Sequence, residues 1–340
     1  MTLELLHLVV DGHSLSEAQA EQAMRSLLSG ESTPVLTAAF LTALRVRGET
    51  VDELTGFARA MRAVAAVLPI DDSCRPVLDT CGTGGNPKAG FNISTISAFV
   101  IAGAGVRVAK HGNRSITSKT GSADLLEALG VRTVAAPEDV ANAIRVAGIG
   151  FLFAPSFHSA VKHVQPIRIE MKFRTAFNFL GPLTNPARAE MQVAGTWSDD
   201  GAEKIAGALA RLGLERGFVV HGSDGMGEVT LTGPSTVFSV RHGAVEKLIV
   251  TPEDFGFCTQ PEADIRGGDT AANRASAEAI LGGGPEKEMG ARREIVLINS
   301  ALGIVAAGKA ADFREGVARA AEAIDSGAAW RKVEALRAAQ

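Results

Sequence analysis

Asp79-Thr80-Cys81-Gly82-Thr83-Gly84-Gly85-Asn86 with Asn92-Ile93-Ser94-Thr95, then Lys110-His111-Gly112-Asn113-Arg114 closing with Gly121-Ser122-Ala123-Asp124, form two glycine-rich motifs around one α/β unit. Val77-Leu78-Asp79 reads as a strand, Ser94 to Gly103 as an alanine-rich helix, and Val106-Arg107-Val108-Ala109 as the next strand. Glycines after a strand let backbone N–H groups approach a phosphate closely, and the start of the following helix adds positive potential. After the second strand, Lys110, His111 and Arg114 supply mobile and planar donors for further anionic oxygens. Two such devices imply a ligand with two phosphate-bearing ends, and so an enzyme.

Outward from this unit the strand–helix alternation continues. Ser122 to Leu129 and Pro137 to Val146 read as helices, while Phe151-Leu152-Phe153 and Phe218-Val219-Val220-His221 read as strands. The fold class expected is α/β, a mostly parallel sheet covered by helices, with ligands at the carboxyl ends of the strands. Arg168 to Leu183 interrupts the alternation as one further helix ended by Gly181-Pro182. The chain before Thr50 is helical. Ser16-Glu17-Ala18-Gln19 is a capping box before a helix that Gly30 stops, and Thr33-Pro34 starts a second helix. Thr50-Val51-Asp52-Glu53 caps a third, which runs through Met61. None of the three clusters catalytic residue types, so packing or subunit association is their expected work.

Composition narrows the function classes. A 340-residue chain with 46% hydrophobic and 21% charged residues has ample core for two domains or one large domain with an added module. The net charge of −4 argues against nucleic acid held by bulk electrostatics. Cys74, Cys81 and Cys258 are odd in number and lack metal-ligand spacing, which suits thiols in a reducing compartment. Cys81 lies in the glycine loop without a partnered base and reads as a small filler rather than a nucleophile. Leu3 to Val10 lacks a basic leader and a cleavage site, and no apolar run reaches membrane-spanning length, so a cytoplasmic location is expected.

The glycine loop is not a Walker A loop, and it lacks the third glycine of a dinucleotide fingerprint. Asn92, Ser94 and Thr95 fit either a donor set for an anion or a helix-capping cluster with no ligand, and Ser94 could ligate a metal through its hydroxyl. Lys110 to Arg114 places four hydrogen-bonding side chains in five positions, poor helix or core material that reads as a loop. His158 and Arg168, ten residues apart, could together bind a carboxylate, for which the planar arginine fork is suited.

On these residues the chain resembles the anthranilate phosphoribosyltransferase family, among the nucleoside phosphorylase-like phosphoribosyltransferases. The resemblance takes in Ala38-Ala39-Phe40-Leu41, the two glycine-rich motifs, Phe151 to Pro155, Arg174-Thr175, Phe177-Asn178, Gly181-Pro182-Leu183-Thr184-Asn185-Pro186, and the close at Ala323-Ile324-Asp325-Ser326-Gly327. It implies a small helical domain, residues 1–72 with 166–188 contributing, and a larger α/β domain, residues 73–165 and 189–340. It also implies a homodimer through the helical domain, magnesium (Mg2+) as cofactor, and no nucleic-acid or membrane partner. The implied reaction moves the 5-phosphoribosyl group of phosphoribosyl pyrophosphate to the amine of anthranilate. Carried over residue by residue, the phosphoribosyl pyrophosphate site comprises Gly82, Gly85, Asn86, Gly90, Asn92, Ile93, Ser94, Thr95, Lys110, His111, Gly112, Asn113, Arg114, Ser115, Ile116, Thr117, Ser118 and Ser122. Anthranilate is assigned Gly82, His111, Asn113, His158 and Arg168, and magnesium Ser94 and Glu228.

Four positions depart from the family pattern. Asn86 stands in place of an aspartate, Gly90 of a hydroxyl residue, Lys172 of a glycine, and Gly227 of the first acid of a metal-binding pair, leaving Glu228 alone. A pyrimidine nucleoside phosphorylase-like enzyme and a non-catalytic nucleic-acid-binding homologue are the alternative readings.

Overall fold

The computed structural model describes residues 3–84, 91–115, 120–283 and 286–339. Its centre is a seven-stranded sheet: β1 (Leu78–Gly82), β2 (Val108–Gly112), β3 (Ile149–Phe153), β4 (Met191–Gly195), β5 (Arg216–Gly222), β6 (Ser235–Arg241) and β7 (Ala244–Val250), in the order β3-β2-β1-β4-β5-β6-β7. The first five strands are parallel; β6 and β7 extend the sheet antiparallel. Strand residues alternate between two cores, as the two-residue period of a pleated strand requires. Val108, Ile149, Phe151, Val193, Phe218 and Val220 face one core, with the helices Ile93–Gly103, Glu286–Ala306, Phe313–Asp325 and Ala328–Ala338. On the opposite face, Cys81, Ala194, Val219 and Phe238 join a core supplied by the N-terminal helices, while Ala109 and Leu152 pack into a smaller cluster.

The N-terminal helices form where their caps lie. Ser16 and Gln19 close a capping box on Glu17–Leu28, Thr33 caps Pro34–Arg47, and Thr50 and Glu53 close a second box on Val51–Val64. The buried Glu53 carboxylate also accepts the Leu15 N–H at 2.9 Å, tying the loop before Glu17–Leu28 to the helix Val51–Val64. The apolar faces of these helices, with Phe40, Leu44, Leu54 and Phe57 fully enclosed, continue through the helices Phe177–Leu183 and Asp199–Arg211 onto the sheet. The result is a small helical domain seated on a larger α/β domain.

Two sequence expectations are corrected. The segment from Arg168 to Leu183 is two helices, Gln165–Met171 and Phe177–Leu183, separated where Lys172 turns left-handed at φ 55°; Pro182 lies within the second rather than beyond it. The strands also sit later than expected: Cys81 and Gly82 belong to β1, and Lys110, His111 and Gly112 to β2 rather than to a following loop. The reason is a set of polar partners on neighbouring strands, which lets charged residues occupy strand ends.

β1 and β4 run side by side to a shared glycine end, Gly82 opposite Gly195. There the Thr83 N–H donates to the Gly195 carbonyl at 2.9 Å, and a Cβ on Gly195 would lie 1.8 Å from the Gly227 carbonyl oxygen. Gly195→Ala should therefore lower stability by about 2 kcal/mol or more in urea unfolding, the cost of forcing backbone apart in a packed interior. Gly181→Ala, with nothing within 4 Å of the added Cβ, should unfold like the parent. Matching midpoints for all three proteins would show that the contact relaxes.

Candidate active site

The strand order places a topological switch between β1 and β4. The chain steps from β1 through β2 to β3 on one side, then restarts at β4 and proceeds to β5 on the other. Crossovers leaving in opposite directions open a crevice beyond the carboxyl ends of the two strands. Gly82, Thr83 and Gly84 leave β1 there, with Gly84 left-handed at φ 65°. The turn carrying Gly227 and Glu228, after β5, meets the end of β4 at the same place.

The helix Ile93–Gly103 starts at this crevice. Its first residue is preceded by Asn92, left-handed at φ 62° and ψ 40°, whose side chain makes no capping hydrogen bond. The Asn92 amide instead donates to the Thr120 carbonyl at 3.1 Å and accepts from Asn273 at 3.1 Å. The capping-cluster reading of Asn92 thus fails, and its side chain does not take up the amides at the positive end of the helix dipole. Thr80 Oγ1 donates to the Ser94 carbonyl at 3.0 Å, fixing the first turn to β1.

Lys110 and His111 are buried, at 3% and 5% exposure, because β1 satisfies them. The Lys110 ammonium donates to the Thr80 carbonyl, and the His111 backbone N–H donates to Asp79 Oδ1 at 2.9 Å. Asp79 is wholly enclosed; burial raises its pKa, and Asn185, the His111 N–H and Lys110 oppose the rise. Burial likewise lowers the Lys110 pKa, opposed by Asp79, Cys81 and Glu228. Gln192 closes the network, its Nε2 lying 2.7 Å from the Pro182 carbonyl, 3.0 Å from Cys81 Sγ and 3.4 Å from Asp79 Oδ2. Burial drives the Cys81 thiol pKa up and away from thiolate chemistry, consistent with a filler. Asp79 and Asn185 stood in the quoted motifs without a role, and Gln192 and Asn273 were not singled out from sequence. The one local signal was an acid in the middle of an apolar strand, which Asp79 provides.

On the helical side, the His111 and His158 rings meet edge to face with centroids 5.2 Å apart. His111 Nδ1 lies 3.1 Å from the Gly181 carbonyl. Burial, with His158 and Lys110 adding repulsion, pushes the His111 pKa down to about 3, and burial takes His158 down to about 4. Both rings are neutral near pH 7. Gly181, exposed, borders open space on this side. Arg168 is held by Gln165 at 3.1 Å, with its guanidinium 5.0 Å from the centre of the Phe177 ring on the same helix as Gly181.

The remaining residues have mixed placements. Ser122 Oγ accepts the Asn113 N–H and donates to the Asn113 carbonyl, both at 3.1 Å, so it braces that turn. Arg114 forks onto Glu127 at 2.6 and 2.8 Å and reaches Asp124, so its guanidinium points to the helix Ser122–Ala128 rather than into the crevice. The Ser115 and Gly121 N–H groups converge on Asp124 Oδ2 at 3.2 and 2.8 Å. Glu228 is raised to about 7 by burial first and by Asp224 second, with Lys110 opposing. Asp224 itself is committed to its own turn, accepting from Met226 N–H, Thr230 and Thr232. Gly85, Asn86, Gly90, Ile116, Thr117 and Ser118 lie outside the described residues.

A model of the glycosyl transferase helical bundle domain matches residues 3–65, and one of the glycosyl transferase a/b domain matches residues 74–330. The chain belongs to this glycosyl transferase family. Within it, the place of the chain is among the anthranilate phosphoribosyltransferases. It is 56% identical over 332 residues to that of Solibacter usitatus, covering 98% of this chain and 96% of the relative. The crystal structure of the Thermus thermophilus anthranilate phosphoribosyltransferase is similar at a TM-score of 0.92 and 44% identity, over 98% of each chain. The Saccharomyces cerevisiae anthranilate phosphoribosyltransferase, in complex with PRPP and Mg, follows at 0.90 and 26%, over 99% of this chain and 97% of that one.

The depressed histidines make a pH prediction with a definite sign. Unfolded histidines take up protons below about pH 6.5, while folded His111 stays neutral down to about 3 and His158 down to about 4. Acid therefore draws the equilibrium toward the unfolded chain. Stability contributed by this pair is complete above about pH 6.5 and is lost progressively below it. His111→Gln or His158→Gln should flatten the decline between about pH 6.5 and 4 by up to about 1.4 kcal/mol per pH unit, read from urea midpoints. Parallel pH curves for parent and variants would contradict the burial assigned to the rings.

Proposed function

We propose that the protein transfers the 5-phosphoribosyl group of phosphoribosyl pyrophosphate to the amine of anthranilate, giving N-(5-phosphoribosyl)anthranilate and pyrophosphate in tryptophan biosynthesis. The observation that carries this reading is the crevice between β1 and β4. There a helix start that the Asn92 side chain leaves uncapped, the glycine ends of β1 and β4, Lys110 and Glu228 meet, and a neutral histidine pair and Arg168 stand on the helical side. Gly82, Gly112, Ile93, Ser94, Thr95 and Lys110 serve the phosphoribosyl pyrophosphate end, with Asn113, Ser115 and Ser122 shaping the following turn. Arg168 holds the anthranilate carboxylate, with Asn113, His111 and His158 beside the ring.

The aniline nitrogen is neutral at physiological pH and attacks the anomeric carbon with its own lone pair. The bond from that carbon to the pyrophosphate oxygen breaks as the C–N bond forms, and the nitrogen then releases a proton. No strong base is needed, which agrees with histidines too acidic to hold protons. Placement of the two reactants and stabilisation of the departing anion by Lys110 and the helix start supply the acceleration.

Magnesium fits the donors present. Ser94 and Glu228 offer hard oxygen ligands, and a carboxyl pushed up by burial and by Asp224 is one that a nearby cation would relieve. Each of the two residues offers a hard oxygen donor, so the remaining ligands of the ion would come from phosphates and water. When bound, the ion would neutralise charge on the leaving pyrophosphate. We place the domain boundary so that residues 1–72 and 166–188 act as one body and residues 73–165 and 189–340 as the other. The enzyme is taken to be cytoplasmic, without nucleic-acid or membrane partners; among the described residues no helix is long and apolar enough to cross a membrane.

Loss of anthranilate fluorescence with phosphoribosyl pyrophosphate and magnesium present, and none without them, tests the activity. In the same assay Arg168→Ala should raise the anthranilate KM about ten- to a hundredfold, the worth of a charged hydrogen-bonded contact, with phosphoribosyl pyrophosphate binding nearly intact. A loss confined to phosphoribosyl pyrophosphate would overturn the assignment of Arg168.

The homodimer is placed on the helical domain, where Leu3, Val10, Val35, Val46, Ile169 and Phe173 expose apolar side chains on and beside the helices Leu3–Val10, Pro34–Arg47 and Gln165–Met171. Sedimentation at micromolar protein should give a dimer. A fully active monomer would remove this surface from consideration.

A further inference from the structure

Asn273 lies far from the glycine loops in sequence, on the helix Thr270–Leu281, and carries none of the chemistry assigned above. It is 3% exposed. Its side chain is clamped at both ends: Oδ1 accepts the Gly268 N–H at 2.8 Å, and Nδ2 donates to Asn92 Oδ1 at 3.1 Å. Asn92 in turn donates to the Thr120 carbonyl at 3.1 Å.

Backbone groups at the two ends fix which way both amides point. A carbonyl can only accept, so Asn92 must present Nδ2 to Thr120 and Oδ1 to Asn273. A backbone N–H can only donate, so Asn273 must present Oδ1 to Gly268 and Nδ2 to Asn92. The chain Thr120–Asn92–Asn273–Gly268 therefore has one consistent orientation, and a parallel contact between Thr120 and Thr270 hydroxyls at 3.2 Å reinforces it.

An asparagine immediately before a helix ordinarily turns its side chain back onto the amides of the first turn. Here that side chain is drawn outward, and the backbone of Asn92 takes the left-handed conformation, which asparagine tolerates better than most residues. We infer that Asn273 is a positioning residue for phosphoribosyl pyrophosphate: it holds the Asn92 side-chain amide away from the start of the helix Ile93–Gly103, where the Thr95 N–H already turns to the Asn92 carbonyl at 2.9 Å, so that this side chain does not compete with the anionic substrate for the first-turn amides. Without the bridge, Asn92 is free to leave the left-handed region for the extended backbone of an ordinary N-cap, from which its side chain would cap the helix and compete with the ligand. This rests on the reading that the helix start binds phosphoribosyl pyrophosphate.

Asn273→Asp keeps an acceptor for Gly268 and replaces the donor facing Asn92 with a second oxygen. Calorimetric titration with phosphoribosyl pyrophosphate and magnesium should show affinity weakened about tenfold, the scale of one lost buried hydrogen bond left with opposed acceptors. The anthranilate KM and kcat at saturation should stay within about twofold. Asn92→Gly removes the amide while leaving a residue at ease in the left-handed region; in that background Asn273→Asp should add nothing, the signature of a role exerted through Asn92. Should the aspartate variant fail to fold, Asn273→Ala removes the same donor without adding charge. Unchanged affinity, additive losses in the double variant, or equal losses for both substrates with a lowered melting temperature would each overturn the inference. A parent protein that binds phosphoribosyl pyrophosphate without consuming anthranilate defeats the proposed reaction while leaving this inference to be judged on affinity. No binding by the parent defeats both.

Discussion

Everything at the crevice is arranged around one enclosed carboxylate. Asp79 sits in the middle strand of the parallel sheet with no exposure to solvent, and an uncompensated charge there would cost several kcal/mol. Its compensation comes from the Asn185 side chain, the His111 N–H on β2, Gln192 on β4, and the nearby Lys110 ammonium. Each of these groups is placed for the site by being required at Asp79. Lys110 reaches across to the Thr80 carbonyl on β1, the His111 ring is turned to the helical side, and Gln192 carries the network on to Pro182. The demand of a buried charge for partners thus aligns three strands and one loop.

The crevice has two unlike walls. On the sheet side, glycines at the ends of β1 and β4 bring backbone close to backbone, and the surrounding polar groups suit a highly anionic substrate. On the helical side, burial keeps the His111 and His158 rings, which meet edge to face, neutral. Lys110 adds to the forces that keep His111 unprotonated. The wall that handles anions thereby helps keep the other wall neutral.

Much of this was legible because the signals are local. Capping boxes at Ser16 and Thr50 lie within four residues of the helices they start, and both helices stand where those boxes put them. The parallel sheet and the placement of glycine loops at strand ends also followed from alternation along the chain. What escaped depends on distant partners. Lys110 and His111 look like loop residues until Asp79, 32 positions before His111, turns them into strand interior. Asn273 meets Asn92 across 181 residues, and nothing near either of them announces it. The break between Arg168 and Leu183 was missed because Lys172, noted only as standing where the family has glycine, takes the left-handed backbone itself. The pairing of Arg114 with Asp124 and Glu127 also escaped, since these acids are its neighbours only once the following helix turns back on it.

The antiparallel addition of β6 and β7 leaves the sheet with two dissimilar borders. β3 is sunk among helices, whereas Ala244 to Lys247 of β7 are exposed. An open strand border is an invitation for another chain to add itself and begin a growing ribbon. β7 answers with Glu246 and Lys247 side by side, so a newcomer aligning there would have to strip water from charges on both of its faces. At the high concentrations of a crowded cell, that border resists runaway stacking.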